Sequence, residues 1–262
     1  MNPARPEFVP DASLSRAEME ELQWDVASAA AFTDDLSFDP ANVSTAQSSL
    51  VPDEERPLVA GVDQAFLDDY AVSAIVVLRG GEVVERVHAV TELSIPYIPG
   101  LLSFREGGPI VDAFAELDCE PDLVLFDGSG RIHFRQAGLA THMGVVLDVP
   151  AIGVAKNLLC GRARESVGQR PEGWRTPIEA ADGVKPRPTD DASTFSDTVV
   201  GYAYQSRQYP NSKQINPLYV SPGHRVSAET TVELVERLGG DYKLPEPTRL
   251  ADAYADDCKR EY

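Results

Sequence analysis

Asp63, Glu106 and Asp127 are the side chains whose types and settings could do chemistry together. Asp63 ends one apolar run, Leu58-Val-Ala-Gly-Val-Asp63, and Asp127 ends another, Pro121-Asp-Leu-Val-Leu-Phe-Asp127, while Glu106 stands where the intervening helix begins. In an open α/β sheet, ligands gather outside the carboxyl ends of strands near a topological switch, so the two aspartates could be neighbours and Glu106 could reach them. Three carboxylates brought together repel one another and raise each other's pKa; such a cluster normally holds a hard divalent cation on oxygen, Mg²⁺ or Mn²⁺. Taken singly, each acid reads more readily as a surface or capping carboxylate in a chain with 42 Asp and Glu residues, Glu106 above all as a helix cap. Spacing alone favours that reading.

The loop before Glu106 adds an aromatic tool. Pro96 and Pro99 fix the backbone on either side of Tyr97, and Gly100 permits a sharp turn, so the ring should be held in one place. Ser103 stands three residues before Glu106 in the pattern of a capping box, opening a helix with Ile110, Val111, Phe114 and Leu117 as its buried stripe.

The elements that must position these groups follow from periodicity. Residues 1–12 read as disordered, Ser15 and Glu18 as a capping box opening a first helix, and residues 34–57 as a surface loop. Runs at 58–63, 71–78 and 83–90, the last two joined by Gly80 and Gly81, predict an antiparallel meander. The continuous apolar runs ending at Asp127 and Ala155, separated by a helix at 138–146, predict strands covered on both faces and paired in parallel. Residues 162–196, rich in Pro, Gly and charge, read as an excursion, and strands follow at 198–205 and 218–220. A last helix is capped by Ser227 with Val232, Val235 and Leu238 inside, and the acidic tail beyond Asp252 is expected to fray. The fold class is α/β: a mixed sheet of three antiparallel strands and then alternating helices and strands, with helices on both faces, in one domain over 13–254.

Composition bounds the function. With 262 residues the chain can bury a real core. No apolar run reaches the roughly 20 residues of a membrane span, so a cytoplasmic protein without a membrane partner is expected. Cys119, Cys160 and Cys258 are scattered and odd in number, which suggests neither a disulfide framework nor a clustered zinc site. A formal charge of -19 would repel a polyanion at ordinary salt, but at 1 M salt a Debye length of about 3 Å screens that repulsion. The acidity reads as a halophile's solvation shell; an acidic protein with a cationic or small-molecule partner is the competing reading.

Six segments, taken in order, resemble the endonuclease V family from about Leu58 to Tyr254. They are Ala60-Gly-Val-Asp63, Pro96-Tyr-Ile-Pro-Gly-Leu-Leu-Ser-Phe-Arg-Glu106, Asp122-Leu-Val-Leu-Phe-Asp-Gly128, Asp148-Val-Pro-Ala-Ile-Gly-Val-Ala-Lys156, Asn216-Pro-Leu-Tyr-Val-Ser-Pro-Gly-His-Arg-Val-Ser227 and Tyr242-Lys-Leu-Pro-Glu-Pro-Thr-Arg249. The resemblance implies a ribonuclease H-like fold and a Mg²⁺-dependent hydrolase, with Mn²⁺ able to substitute. It implies cleavage of DNA at the second phosphodiester bond 3′ to deoxyinosine, leaving 3′-hydroxyl and 5′-phosphate ends. DNA with other deaminated bases and inosine-containing RNA are the further partners it implies, with the chain acting as a monomer.

Residue by residue, the resemblance assigns Asp63, Glu106 and Asp127 to the metal, His224 to the catalytic histidine, and Lys156 to the scissile phosphate. Tyr97, with Ile98 and Pro99, falls on the wedge that fills the gap left by a turned-out base. Gly100, Leu102, Gly128 and Ile152 fall around the base pocket. Ser129 stands where the family often has histidine, and Phe66 where it usually has tyrosine. Arg131, Arg135, Lys156, Arg225 and Arg249 could form a basic strip for DNA. A catalytically silent nucleic-acid-binding protein and a metal-dependent phosphatase are the alternatives of other classes.

Overall fold

The computed structural model describes residues 1–45, 52, 55–209 and 214–262. Its β-branched runs become β1 (Leu58–Leu67), β2 (Tyr70–Arg79) and β3 (Glu82–Glu92), joined as the expected antiparallel meander. The fully apolar runs become β4 (Leu123–Asp127) and β5 (Ala151–Ala155), parallel to each other and to β1. Four more strands, β6 (Arg162–Ala163), β7 (Arg175–Glu179), β8 (Val199–Tyr204) and β9 (Leu218–His224), complete a sheet ordered β3-β2-β1-β4-β5-β9-β8-β7-β6. This is the mixed, ribonuclease H-like arrangement expected.

Helices cover both faces because the central strands are apolar on both. On one face α2 (Leu102–Ala115) and α3 (Leu139–Leu147) set Ile110, Phe114, Met143 and Val146 against Val62, Val77, Val124 and Phe126. On the other, α4 (Ala228–Arg237) sets Val232 and Val235 against Val59, Leu125, Ile152 and Val220. Each fully buried large side chain contributes roughly 1.5–3 kcal/mol. The first helix, α1 (Arg16–Ala29), opens with the Ser15 and Glu18 capping box and lays Val26 and Ala27 against Val145 of α3.

Four expectations are corrected. Residues 1–12 are not loose: the Met1 ammonium donates to the Phe114 and Leu117 carbonyls, Arg5 N–H to Val146, and Phe8 and Val9 pack on the α2/α3 core. The tail does not fray after Asp252, since α5 (Glu246–Lys259) buries Ala251, Ala255 and Cys258, the last two on Ala65, Val72 and Ala74. It was missed because its acidic surface face hides a stripe of small residues. Pro247 lies so close to β1 that a Cβ at position 61 would collide with its backbone, which is why Gly61 is there. Residues 162–196 are not only an excursion: β6 and β7 extend the sheet, and Ile178, Val184 and Phe195 form a small core on which Trp174 packs. Ser103 does not cap α2; Leu101 takes the N-cap place with no side-chain bond. Of the expected loop at 34–57, positions 46–51 and 53–54 lie outside the described residues; Pro40–Asn42 is a short 3-10 turn. Among the described residues no helix is long and apolar enough to cross a membrane.

Candidate active site

β1 and β4 lie side by side in parallel with Val62 opposite Phe126, so Asp63 and Asp127 follow at one level of the sheet. β4 ends there, whereas β1 continues four residues past Asp63. Glu106 comes from the second turn of α2, and the three carboxylates line one cavity of about 210 Å³ with Gln64, Phe66 and Leu102. Burial, then the nearby Asp127 charge, pushes Asp63 up to about 8. Burial pushes Glu106 up to about 7, against the pull of Arg105, with Asp127 again adding to the rise. Arg105 Nη1 stands 3.5 Å from Glu106 Oε1, and its guanidinium lies 4.6 Å over the Phe66 ring.

Asp63 Oδ1 accepts the Gln64 N–H at 2.7 Å, whereas its buried Oδ2 has no hydrogen-bond partner among the described residues. A buried oxygen without a donor is costly in the protein alone. An orphaned carboxylate oxygen in a cavity with two further carboxylates fits a hard divalent cation. Among the described residues, however, no three His, Cys, Asp or Glu side chains are grouped tightly enough to hold one ion as they stand. Asp127 is engaged with Lys156, whose Nζ lies 2.8 Å from Oδ2. Half burial opposes the lysine's charge, but Asp127 outweighs it and the Lys156 pKa is raised. Asp252, on the exposed side of α5, adds its charge to both Asp63 and Lys156. Sequence reasoning missed this fourth acid; the signal was the spacing of Thr248, Ala251, Ala255 and Cys258, which predicts a helix where a frayed tail was expected.

A second cavity, of about 320 Å³, adjoins the first and shares Leu102, Asp127 and Leu139 with it. Its walls include Tyr97, Gly100, Gly128, Ser129, His133 and Lys156. Tyr97 is 62% exposed at its rim, on a loop anchored by Ile95 and Ile98 against Leu101 and Phe104. Pro99 is exposed beside it. Gly100 takes φ +81°, a conformation that disfavours other residues, and a Cβ there would meet the Phe134 ring. Its carbonyl receives Gln23 Nε2 at 2.8 Å and His133 Nε2 at 3.1 Å, which makes His133 a structural histidine. His88 is likewise tied down, its Nδ1 3.1 Å from the Tyr254 hydroxyl.

Three expectations for this region fail. Ile152 does not reach the pocket: it points into the α4 core, fully buried. His224 stands at the wrong end of the sheet. Val154 pairs with both Asp127 and Val220, and His224 lies four residues farther along β9, about 13 Å at normal strand rise. There it is buried, its Nδ1 accepting the Ala31 N–H at 3.2 Å and its Nε2 facing Asp148 at 3.2 Å. The basic strip does not form either. Arg131 is buried over Phe32, Arg135 is bound to Glu20 and Gln23, Arg249 to Glu246, and Arg225 lies with His224 against Asp35 and Asp148.

The family model described as Endonuclease V matches residues 43–253. The endonuclease V of Natronomonas pharaonis is 63% identical over 263 residues, covering 100% of this chain and 99% of that protein. That of Haloarcula marismortui is 58% identical over 272 residues, covering 99% and 98%. Among solved structures, Streptomyces avermitilis endonuclease V superposes with a TM-score of 0.75 at 30% identity, covering 100% of this chain and 99% of that one. Endonuclease V of Ciona intestinalis, crystallised with a 24mer DNA containing an inosine followed by a ribo-adenosine, superposes at 0.68 with 25% identity, covering 94% and 97%. Matched end to end at this identity by its relatives, and over most of its length by the family model, the chain belongs to the endonuclease V family.

Proposed function

We propose that this chain is a DNA-repair endonuclease that cuts the strand at the second phosphodiester bond 3′ to deoxyinosine, leaving 3′-hydroxyl and 5′-phosphate ends. The observation that carries the reading is the meeting of two cavities at Asp127: one lined by carboxylates, the other rimmed by an exposed tyrosine. An enzyme that reads a damaged base and cuts nearby needs both, side by side.

Asp63, Glu106 and Asp127 would hold the cation, Mg²⁺ with Mn²⁺ as substitute. Such a cation supplies Lewis acidity, a lowered pKa for bound water and charge neutralisation at the departing oxygen. Asp252 adds its negative charge to the same region. Lys156 is paired with Asp127 at the site, and exchanging that carboxylate for a phosphate oxygen would place its charge on the strand. Turning a base out of the stack costs a few kcal/mol, and Tyr97 restores part of it by filling the gap. The turned-out base enters the larger cavity past Gly100, Leu102 and Gly128. His224 has no part in this scheme.

A molar-salt environment fits a chain of charge -19 with halophilic archaea among its relatives. At low salt that charge opposes DNA, and at high salt it is screened. The test is incubation of a labelled duplex containing one deoxyinosine with Mg²⁺ at low and molar KCl, mapping any break to the nucleotide. A single break at the second bond 3′ of deoxyinosine is expected, and cutting that ignores the deoxyinosine rejects the reading. Cleavage beside inosine in RNA is a second reading, motivated by the ribo-adenosine in the Ciona complex; a matched inosine RNA strand in the same assay decides it.

A further inference from the structure

One hydroxyl on the wall of the larger cavity has its proton already engaged. Ser103 lines that cavity at 1% exposure, and its Oγ lies 2.9 Å from His142 Nδ1. The other ring nitrogen, Nε2, lies 2.8 Å from the Phe8 carbonyl oxygen. A carbonyl oxygen only accepts, so Nε2 carries the ring hydrogen. Burial pushes the His142 pKa down to about 4 and keeps the ring neutral near pH 7, which leaves Nδ1 bare. Ser103 must therefore donate to Nδ1, and it offers a ligand lone pairs only.

Three of the other polar side chains around the cavity are already engaged, whereas Ser129 and Asn157 hold no side-chain bond among the described residues and can turn to donate or accept, so they do not discriminate. Gln23 donates to the Gly100 carbonyl and accepts from Arg135 Nη1 at 3.1 Å. His133 donates to that same carbonyl, and its Nδ1 accepts the Arg135 N–H at 3.2 Å. Asp127 is held by Lys156.

We propose that Ser103, with its proton fixed by His142, is the acceptor that selects a base carrying a hydrogen on its Watson–Crick ring nitrogen, and so separates hypoxanthine from adenine. This rests on the deoxyinosine reading above. Enzymes that turn a base out read it along its Watson–Crick edge. Hypoxanthine carries a hydrogen on N1; adenine carries a lone pair there, which would face the lone pairs of Ser103 with no hydrogen between them. A freely rotating hydroxyl would donate to adenine as readily as it accepts from hypoxanthine. Fixing the proton removes that option, which makes His142 a positioning residue and Ser103 the specificity-determining one.

The test measures binding of labelled strands to the full chain by fluorescence anisotropy, at fixed KCl and without divalent cation. The strands carry deoxyinosine or deoxynebularine, a purine with no oxygen at C6 and a bare N1. Ser103→Ala should weaken binding to deoxyinosine by about 10- to 100-fold, the usual effect of losing one buried hydrogen bond. It should leave deoxynebularine nearly unchanged; the missing C6 oxygen affects both proteins alike and cancels in the ratio. His142→Gln, whose amide can donate to Phe8 and accept from Ser103, should keep the preference. Equal losses on both strands, or none on either, in a Ser103→Ala protein that melts like the parent would overturn the assignment, as would a parent that binds the two strands equally. Nicking with Mg²⁺ is scored separately. No nicking with the Ser103-dependent preference intact removes the proposed reaction and keeps the serine; nicking with the preference untouched by Ser103→Ala does the reverse.

Discussion

Lys156 Nζ lies 2.8 Å from Asp127 Oδ2, the carboxylate at which the acid-lined and tyrosine-rimmed cavities meet. The lysine side chain is 47% exposed, and a pair so open to water contributes at most about 1 kcal/mol to folding. In the reaction proposed above, its use lies in what it does to a substrate. Lys156→Ala is expected to lower kcat/KM for a deoxyinosine duplex by about 100-fold, the scale of one lost charge contact in a transition state, with little change in Tm. A large fall in Tm with activity spared would contradict this.

The acid cavity is built at the expense of stability. Asp63 and Glu106 sit at about 8 and about 7, against ordinary values of 3.8 and 4.5. The folded chain therefore binds their protons more tightly than the unfolded chain does. Stability is fully present below about pH 4 for these two groups and is lost as pH rises to 8. In EDTA, Asp63→Asn should be more stable than the parent at pH 8 by about 1–3 kcal/mol and equal to it at pH 4, while losing cleavage. Denaturant melts at the two pH values check it.

His133 and His142 act in the opposite sense. Burial holds both at about 4, below the ordinary 6.5, with hydrogen bonds to the Gly100 and Phe8 carbonyls only partly offsetting it. Their contribution is present above pH 6.5 and is lost as pH falls toward 4, because the unfolded chain takes up the protons first. His142→Gln should therefore show a shallower loss of stability than the parent between pH 6.5 and 4. Parallel melting curves across that window would refute the assignment.

Much of this architecture is legible in the amino-acid sequence. Periodicity reports which side chains must leave water, so the meander, the doubly covered β4 and β5, and the α4 stripe could be read directly. Adjacency of Asp63 and Asp127 followed from two apolar runs that each close on an aspartate, although β1 itself runs on to Leu67. Three things were out of reach. Ser103 and Glu106 have capping-box spacing, yet the helix begins at Leu102 and both side chains turn inward, to His142 and to the acid cavity. Ile152 and Gly153 alternate across β5, and which of them faces the pocket is set by register with β4 and β9. Asp252 lies on a helix whose buried face is alanine and cysteine, too weak an apolar signal to stand out among acids.

Tyr97 presents most of its ring to solvent between two prolines. Little packing is lost when it is cut back, so Tyr97→Ala should melt within a degree or two of the parent, surface changes being worth under about 0.5 kcal/mol. Its binding to a deoxyinosine duplex should weaken by about 10-fold, the stacking worth of one aromatic against a base, and Tyr97→Phe should restore it. Loss of stability without loss of binding would make the ring a structural one.

His224 gives the sharpest division between motif and geometry. It lies in a segment that resembles the family, but it is 2% exposed at the far end of β9 from Asp127. Burial lowers its pKa, and Asp148 only partly counters this. What it touches there is structural: the Ala31 N–H after α1, and Asp148, which also draws Arg5 and Arg225. His224→Ala leaves the part-buried Ala31 N–H without its partner and removes one of the groups that face Asp148, and the loss is expected to be about 1–3 kcal/mol. Cleavage by the folded fraction, measured well below the lowered Tm, should stay within about threefold of the parent, since sites this far apart with no shared partners act nearly independently. A variant that folds like the parent but cuts 100-fold more slowly would return the histidine to the reaction and require the far end of the sheet to approach the strand being cut.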